Sequence, residues 1–241
     1  MKPVIGINST IHVSETGEVS FAVGCGYADS VVKAGGIPVI LPPIDDAADI
    51  ARQTAMCDGF LFIGGHDINP ARLGQPCHPM TTIMDPRRED FDFALIGQVI
   101  AARKPFLAVC LGCQEINAAL GGKIIQDIPS QTNSSVPHSR QQSPCVNRHK
   151  VVIESGTQLR AVLGADEISA NSSHHQAIGQ PPPRGALVSA RCPDDGIIEA
   201  IELTDHPFGI AIQWHPERLA GETEHLRLFQ ALVEHATAGK D

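Results

Sequence analysis

The sequence predicts an α/β protein: a mostly parallel central sheet, helices on both of its faces, and antiparallel edge strands. Three observations carry this expectation. Short apolar or β-branched runs alternate with helical patterns through the first half of the chain, as crossover units of a parallel sheet require. The second half is rich in strands with few helices between them. No internal repeat or linker divides the 241 residues, so residues 1–241 are expected to form a single domain.

The elements follow in order. PVIGIN (3–8) reads as the first strand, and YADSVVKAGG (27–36) as a helix stopped by two glycines. IPVILPP (37–43) is a strand cut off by prolines, and DDAADIARQTAM (45–56) a helix with Asp at its start. GFLFIGG (59–65) is a third strand running into glycines. REDFDFALIGQVIAARK (88–104) is an amphipathic helix with acids in its first turn and bases in its last. PFLAVC (105–110) is a fourth strand, followed by the helical QEINAAL. Four later strands are HKVVIES, GALVSARC, IIEAIEL and FGIAIQW, and EHLRLFQALVEHA (224–236) is a closing helix. Two polar, Pro-containing stretches, 66–87 and 127–149, read as long surface loops of the kind that form lids or binding walls.

Composition narrows the function. A formal net charge of −9 without any Lys/Arg run argues against nucleic acid or an anionic membrane as partner. No stretch approaches the ~20 apolar residues of a membrane span, and MKPVIGINST does not have the form of a signal peptide. Seven scattered cysteines are then expected to be reduced thiols in a cytoplasmic protein.

One stretch, AVCLGCQEIN (108–117), carries chemistry. An apolar strand ends on Cys110, and a helix starts immediately after it. In an open α/β sheet, ligands sit beyond the carboxyl ends of strands. The helix N-terminus behind the cysteine favours an anion, hence the thiolate. A sharp strand-to-helix turn resembles a nucleophile elbow, with Gly112 relieving the crowding and the Leu111 N–H pointing to where an oxyanion would form. Read alone, Cys110–Cys113 is also a C-x-x-C pair, and Cys110 a plain buried strand cysteine.

AIQWHPER (211–218) weighs against those readings. It is a second apolar strand, ending on His215, Pro216 and Glu217. In an extended segment positions i and i+2 face one side, so Glu217 is expected to reach the His215 ring. Nucleophile, base and orienting carboxylate then form a Cys110, His215, Glu217 triad.

AVCLGCQ resembles the nucleophile motif of class I glutamine amidotransferases, and HPE their His–Glu pair. More narrowly, the chain resembles the gamma-glutamyl-gamma-aminobutyrate hydrolase family. YADSVVKAGGIPVILP, GGHDINP (64–70), QEINAALGGKIIQD, NSSHHQAI (171–178), DDGIIEAIE and HPFGIAIQWHPE match its landmarks in order across essentially the whole chain. Three departures stand out: Ala108 where the family has Gly, Leu111 where it often has Arg, and Arg88-Glu89-Asp90-Phe91-Asp92 with its two acids exchanged in length. The last concerns a helix start expected to help shape the acyl pocket.

The resemblance implies a flavodoxin-like fold of the glutamine amidotransferase type. It also implies cysteine-dependent cleavage of a gamma-glutamyl amide, as in polyamine breakdown, through a glutamyl thioester. Cys110 is then the nucleophile and Cys113 occupies a variable position, although a thiol so near invites a Cys110–Cys113 disulfide on oxidation. Gly65 joins Leu111 as oxyanion donor, since glycine lets the backbone approach closely. Gln114, Asn171, Ser172, His174, His175 and Gln176 are implied to bind the glutamyl group. The released amine is expected to lie between loops 66–87 and 127–149. No cofactor is implied, and no metal is expected, because consecutive residues such as His174 and His175 rarely chelate one ion. The expected partner is a small gamma-glutamyl amide, with homo-oligomerisation left open. An ammonia-donating glutaminase serving a partner synthetase is the alternative, and a catalytically idle binding protein a third.

Overall fold

The computed structural model describes residues 1–139 and 147–239. The chain begins with β1 (Val4–Asn8), a hairpin of β2 (Thr10–Val13) and β3 (Val19–Ala22), α1 (Cys25–Lys33) and β4 (Ile37–Leu41). Next come α2 (Ala47–Met56), β5 (Gly59–Phe62), α3 (Pro86–Ala101), β6 (Phe106–Val109), α4 (Leu111–Ala119), β7 (Ile124–Ile125) and α5 (Ile128–Gln131). The second half holds β8 (Asn147–Ile153), α6 (Gln158–Leu163), β9 (Glu167–Ser172), β10 (Ala177–Ile178), β11 (Ala186–Arg191), β12 (Ile198–Leu203), β13 (Gly209–Ile212) and α7 (Thr223–Ala238).

Local signals explain the helix starts. Asp46 caps α2 by accepting from the N–H groups of Ala48 and Asp49, and Asp85 caps α3 through Arg87 N–H. The α3 helix begins at Pro86, two residues before the expected start, because proline is pre-organised for the first helical position.

Nine strands of the described residues form one sheet, in the order β4-β1-β5-β6-β13-β12-β11-β8-β9. From β4 to β13 neighbours pair in parallel; from β13 to β9 they are antiparallel. The antiparallel part is thus a whole flank of the sheet rather than a trimmed edge. Two elements have weak sequence signals. In β9 only alternate residues, Ile168 and Ala170, turn inward before its buried end. The β2–β3 hairpin leaves Val13, Val19 and Phe21 exposed.

Buried strands split their side chains between two cores, as a pleat with period two demands. Leu107 and Val109 join Ile5, Ile7, Ile210 and Trp214 under α1, α6 and α7. Phe106 and Ala108 join Phe60, Phe62 and Ala211 under α2, α3 and α4. The Ala108 methyl, absent from a glycine, is absorbed by this second core. No helix of the described residues is long and apolar enough to cross a membrane. Of the expected loop 127–149, residues 140–146 lie outside the described residues.

Candidate active site

Three adjacent parallel strands, β5, β6 and β13, deliver their carboxyl ends to one place. β6 runs into Cys110, which caps α4 and whose backbone takes φ 54° and ψ −107°. A positive φ is rare for any residue but glycine, and such strain costs about 1–3 kcal/mol that the surrounding structure must hold. Cys110 N–H donates to the Ile212 carbonyl at 2.8 Å, pinning the turn to β13. Leu111 is the first residue of α4, so its N–H is an unpaired helix-start donor. Gly112 is required by packing: a Cβ there would come within 2.8 Å of the Phe62 carbonyl.

His215 lies just beyond β13 and is buried. Its Nδ1 is 2.8 Å from Glu217 Oε1, which leaves Nε2 for the thiol. The residues from Pro216 to Arg218 form a 3₁₀ turn, not extended chain, so Glu217 reaches the ring because the backbone curls back. Tyr27 Oη is 3.4 Å from the same Nδ1 and accepts from Gly64 N–H at 3.1 Å. Burial alone would lower the His215 pKa, but charge and hydrogen bonding from Cys110 and then Glu217 outweigh it, raising it to about 9. Gly64 sits between the partners: a Cβ on it would lie 3.1 Å from the His215 ring and 3.6 Å from Cys110 Cβ.

Gly65 is where the sequence reading puts it, in the turn after β5, against the cavity and Cys110. A side chain there would strike Arg88 and Leu111. Arg88, fully buried, pairs with Asp92 at 3.0 Å and donates to the carbonyls of Ile63 and Gly64. It therefore supports the glycine turn and does not line the acyl cavity, as the helix start had been expected to do.

Cys110 stands at the junction of two cavities. One, about 220 Å³, is lined by Gly65, Asp67, Gln114, Ser139, Ser173, His174, His175 and Gln176. The other, about 580 Å³, is bordered by Thr10, Ala22, Val23, Tyr27, His66, His215 and Arg218. Four of the six expected binding residues therefore line the smaller space. Asn171 and Ser172 do not. Asn171 clasps the His215 backbone, accepting from its N–H at 2.8 Å and donating to its carbonyl at 2.9 Å. Ser172 donates to the His138 carbonyl at 2.9 Å. Both belong to strand β9, which turns them behind the wall, whereas Ser173 past its end faces the cavity. Among the described residues, the larger cavity is bordered by the β2–β3 hairpin and by His66 of the expected 66–87 loop, because the hairpin folds over the strand ends.

His174 and His175 have separate surroundings. His175 Nε2 lies 3.1 Å from Asp67 Oδ2, and Nδ1 lies 3.3 Å from Asp127. The Asp67 hydrogen bond, aided by Asp127, raises its pKa against the effect of burial. His174 is buried, and desolvation lowers its pKa to about 3. Cys113 is wholly buried in the second core while Cys110 belongs to the first. Burial, then the charge of Cys110, pushes the Cys113 thiol well up, which disfavours the thiolate that a disulfide with Cys110 would need. Tyr27, Arg88, Asp67 and Ser173 have no site signal of their own in the sequence. All four lie inside stretches the sequence reading singled out: YADSVVKAGGIPVILP, Arg88 to Asp92, GGHDINP and NSSHHQAI.

Comparison with known proteins gives a consistent picture. The family model of Peptidase C26 matches residues 3–217. Rv2859c of Mycobacterium tuberculosis, provisionally named a glutamine amidotransferase, is 35% identical over 98% of this chain and 75% of its own length. The gamma-glutamyl-gamma-aminobutyrate hydrolase PuuD of Escherichia coli is 30% identical over 86% of this chain and 83% of its own. Among solved structures, the glutaminase domain of Trypanosoma brucei CTPS with bound acivicin superposes with TM-score 0.62 at 14% identity, covering 98% of this chain and 94% of that one. At that identity the likeness speaks for the fold alone.

Proposed function

Because the chain belongs to the peptidase C26 family of glutamine amidotransferase-like hydrolases, we propose that it hydrolyses gamma-glutamyl amides of amines larger than ammonia. The observation that carries this reading is the pair of unequal cavities meeting at Cys110. The smaller, polar one suits a glutamyl head group: Asp67 is an acceptor for an α-ammonium, and the neighbouring Ser173 hydroxyl and Gln176 amide suit an α-carboxylate. The larger one, on the His215 side, offers about 580 Å³, far more than a departing ammonia requires.

Each step then has a group to perform it. The Cys110 sulfur attacks the side-chain carbonyl, and its oxygen gathers charge against the N–H groups of Leu111 and Gly65. His215 gives its proton to the leaving nitrogen as the C–N bond breaks, which leaves a glutamyl thioester. A water entering from the vacated side loses a proton to His215 and attacks the thioester. Glutamate leaves, and the thiol takes its proton back. Glu217 holds the ring tautomer and stabilises the imidazolium throughout. An amine-breakdown role, polyamines included, fits such a reaction.

Release of glutamate and amine from a panel of gamma-glutamyl amides, with glutamine beside them, tests the proposal. Gamma-glutamyl amines are expected to exceed glutamine in kcat/KM by at least about tenfold, the value of one well-filled pocket group. Preference for glutamine would favour a glutaminase serving a synthetase, and no turnover with any of them would favour an idle binder.

A further inference from the structure

Behind the cavity wall, within the antiparallel flank, three imidazoles converge on one carboxylate. Glu199 on β12 is completely buried. Its Oε1 lies 3.0 Å from His149 Nε2, 3.7 Å from His138 Nδ1 and 3.8 Å from His174 Nε2. The first three of these groups sit close enough together to share one ion. We propose that His138, His149 and Glu199 form a structural site for a divalent first-row transition metal, zinc by the donor set, with the fourth position left to water.

Spacing supports it. Zinc holds nitrogen and oxygen at about 2.0–2.2 Å in a tetrahedron, so neighbouring donors stand roughly 3.3–3.5 Å apart. The distances from Glu199 to His149 and His138, 3.0 and 3.7 Å, bracket that edge.

Proton placement supports it independently. His138 Nε2 lies 2.8 Å from Asp195 Oδ2, so the proton belongs there and the Nδ1 lone pair is on the Glu199 side. Ser172 Oγ, 3.2 Å from that Nδ1, already donates to the His138 carbonyl. His174 Nδ1 donates to the Gln176 carbonyl at 2.9 Å, so its Nε2 lone pair also faces the carboxylate. Two lone pairs facing one carboxylate repel it, and His149 Nε2 at 3.0 Å is the imidazole nitrogen close enough to offset them by a hydrogen bond; a cation in place of that proton would satisfy all three groups. Among the described residues, His174 Nε2 and Glu199 Oε2 have no hydrogen-bond partner, and no lysine or arginine forms an ion pair with Glu199. A carboxylate on the outer nitrogen of the imidazole is a usual outer partner of a metal-ligating histidine. Asp195, held by Ser134, Ile197 and His138, has the orienting role.

The three donors come from three separate segments, so an ion would tie the chain before β8, β8 and β12 together. The Gln176 carbonyl that accepts from His174 accepts from Gln114 Nε2 as well, at 3.3 Å. Consecutive His174 and His175 do not share the ion, since His175 is committed to Asp67 and Asp127.

The full-length protein, stripped with a chelator and reloaded with zinc, is passed over gel filtration and its metal content measured; cobalt(II) loading is followed by absorption. The soft Cys110–His215 pair is controlled with Cys110→Ala. We expect roughly one ion per chain in both proteins and intense tetrahedral cobalt bands. Zinc should raise Tm, and Glu199→Gln and His149→Gln should each lose most of the metal. Substoichiometric metal in the reloaded wild type, loss of the ion in Cys110→Ala, or full retention in both ligand variants would overturn the proposal. If the ligand variants fail to fold, the wild-type stoichiometry and the cobalt spectrum decide. None of these readouts depends on turnover, so the site stands or falls apart from the reaction proposed above.

Discussion

Arg88 Nη2 donates to the Gly64 carbonyl at 3.2 Å, and that carbonyl belongs to the peptide that ends in the Gly65 N–H. In a planar trans peptide the C=O and N–H point in opposite directions. A guanidinium gripping the carbonyl therefore turns the Gly65 N–H away from Arg88. Arg88→Met should lower kcat by at least about tenfold, short of the ~10²–10³ lost with a whole oxyanion donor, and leave KM little changed. Arg88→Lys keeps the charge but not the fork, and should recover only part of the rate. Steady-state and single-turnover kinetics check this; a fall in stability with an unaltered kcat would make Arg88 a structural residue only.

Cys110→Ser should lose at least about 10³-fold in kcat, since members of a catalytic unit fail together. Cys113→Ser should keep turnover within about threefold and lower Tm, because a hydroxyl buried without a partner costs about 1–3 kcal/mol. Mild peroxide should inactivate the wild type and Cys113→Ser alike, with no Cys110–Cys113 disulfide in peptide maps. Equal loss of activity in the two serine variants would contradict the separation of the two thiols between cores.

His215 has its pKa raised to about 9. A raised value means that the imidazolium, and the stability its contacts lend, is fully present below the ordinary histidine range and lost as pH rises through about 9. The leaving-group proton disappears with it, so kcat/KM should fall along an alkaline limb near that pH. Glu217 helps to raise the value, so Glu217→Gln should move the limb to lower pH and reduce kcat. His215→Ala should cost at least ~10²-fold. An unmoved limb in Glu217→Gln would remove Glu217 from its role.

Glu115, on α4, is wholly buried, and burial first, then the charge of Asp92, push its carboxyl well above the ordinary value of 4.5. The folded chain thus keeps a proton that the unfolded chain releases as pH rises. Stability attributable to this group is present below that ordinary value and declines above it. Glu115→Gln mimics the protonated form, so its Tm should exceed wild type at neutral pH, with a gap that widens from pH 5 to pH 8. Calorimetry across that range checks the sign.

Much of this architecture is legible in the residues themselves. Apolar runs ending on Gly64, Cys110 and His215 mark strand ends, because backbone pairing and burial act locally along each run. Cys110 followed at once by a helix, and His215 two residues before Glu217, suffice to suggest a nucleophile and an oriented base. Other features arise only when distant segments meet. Asn171 reads as a ligand-binding amide in NSSHHQ, yet the pairing of β9 turns it onto the His215 backbone. Arg88 sits beneath Gly65 because α3 packs across β5, and no spacing along the chain encodes that contact. The larger cavity is bordered by a hairpin whose own strands carry little signal. His138, His149, His174 and Glu199 are scattered through the sequence and meet only in the folded flank. Sequence acts through neighbours along the chain, which set strands, caps and turns; the tertiary structure decides which polar groups are left facing one another once water has been excluded.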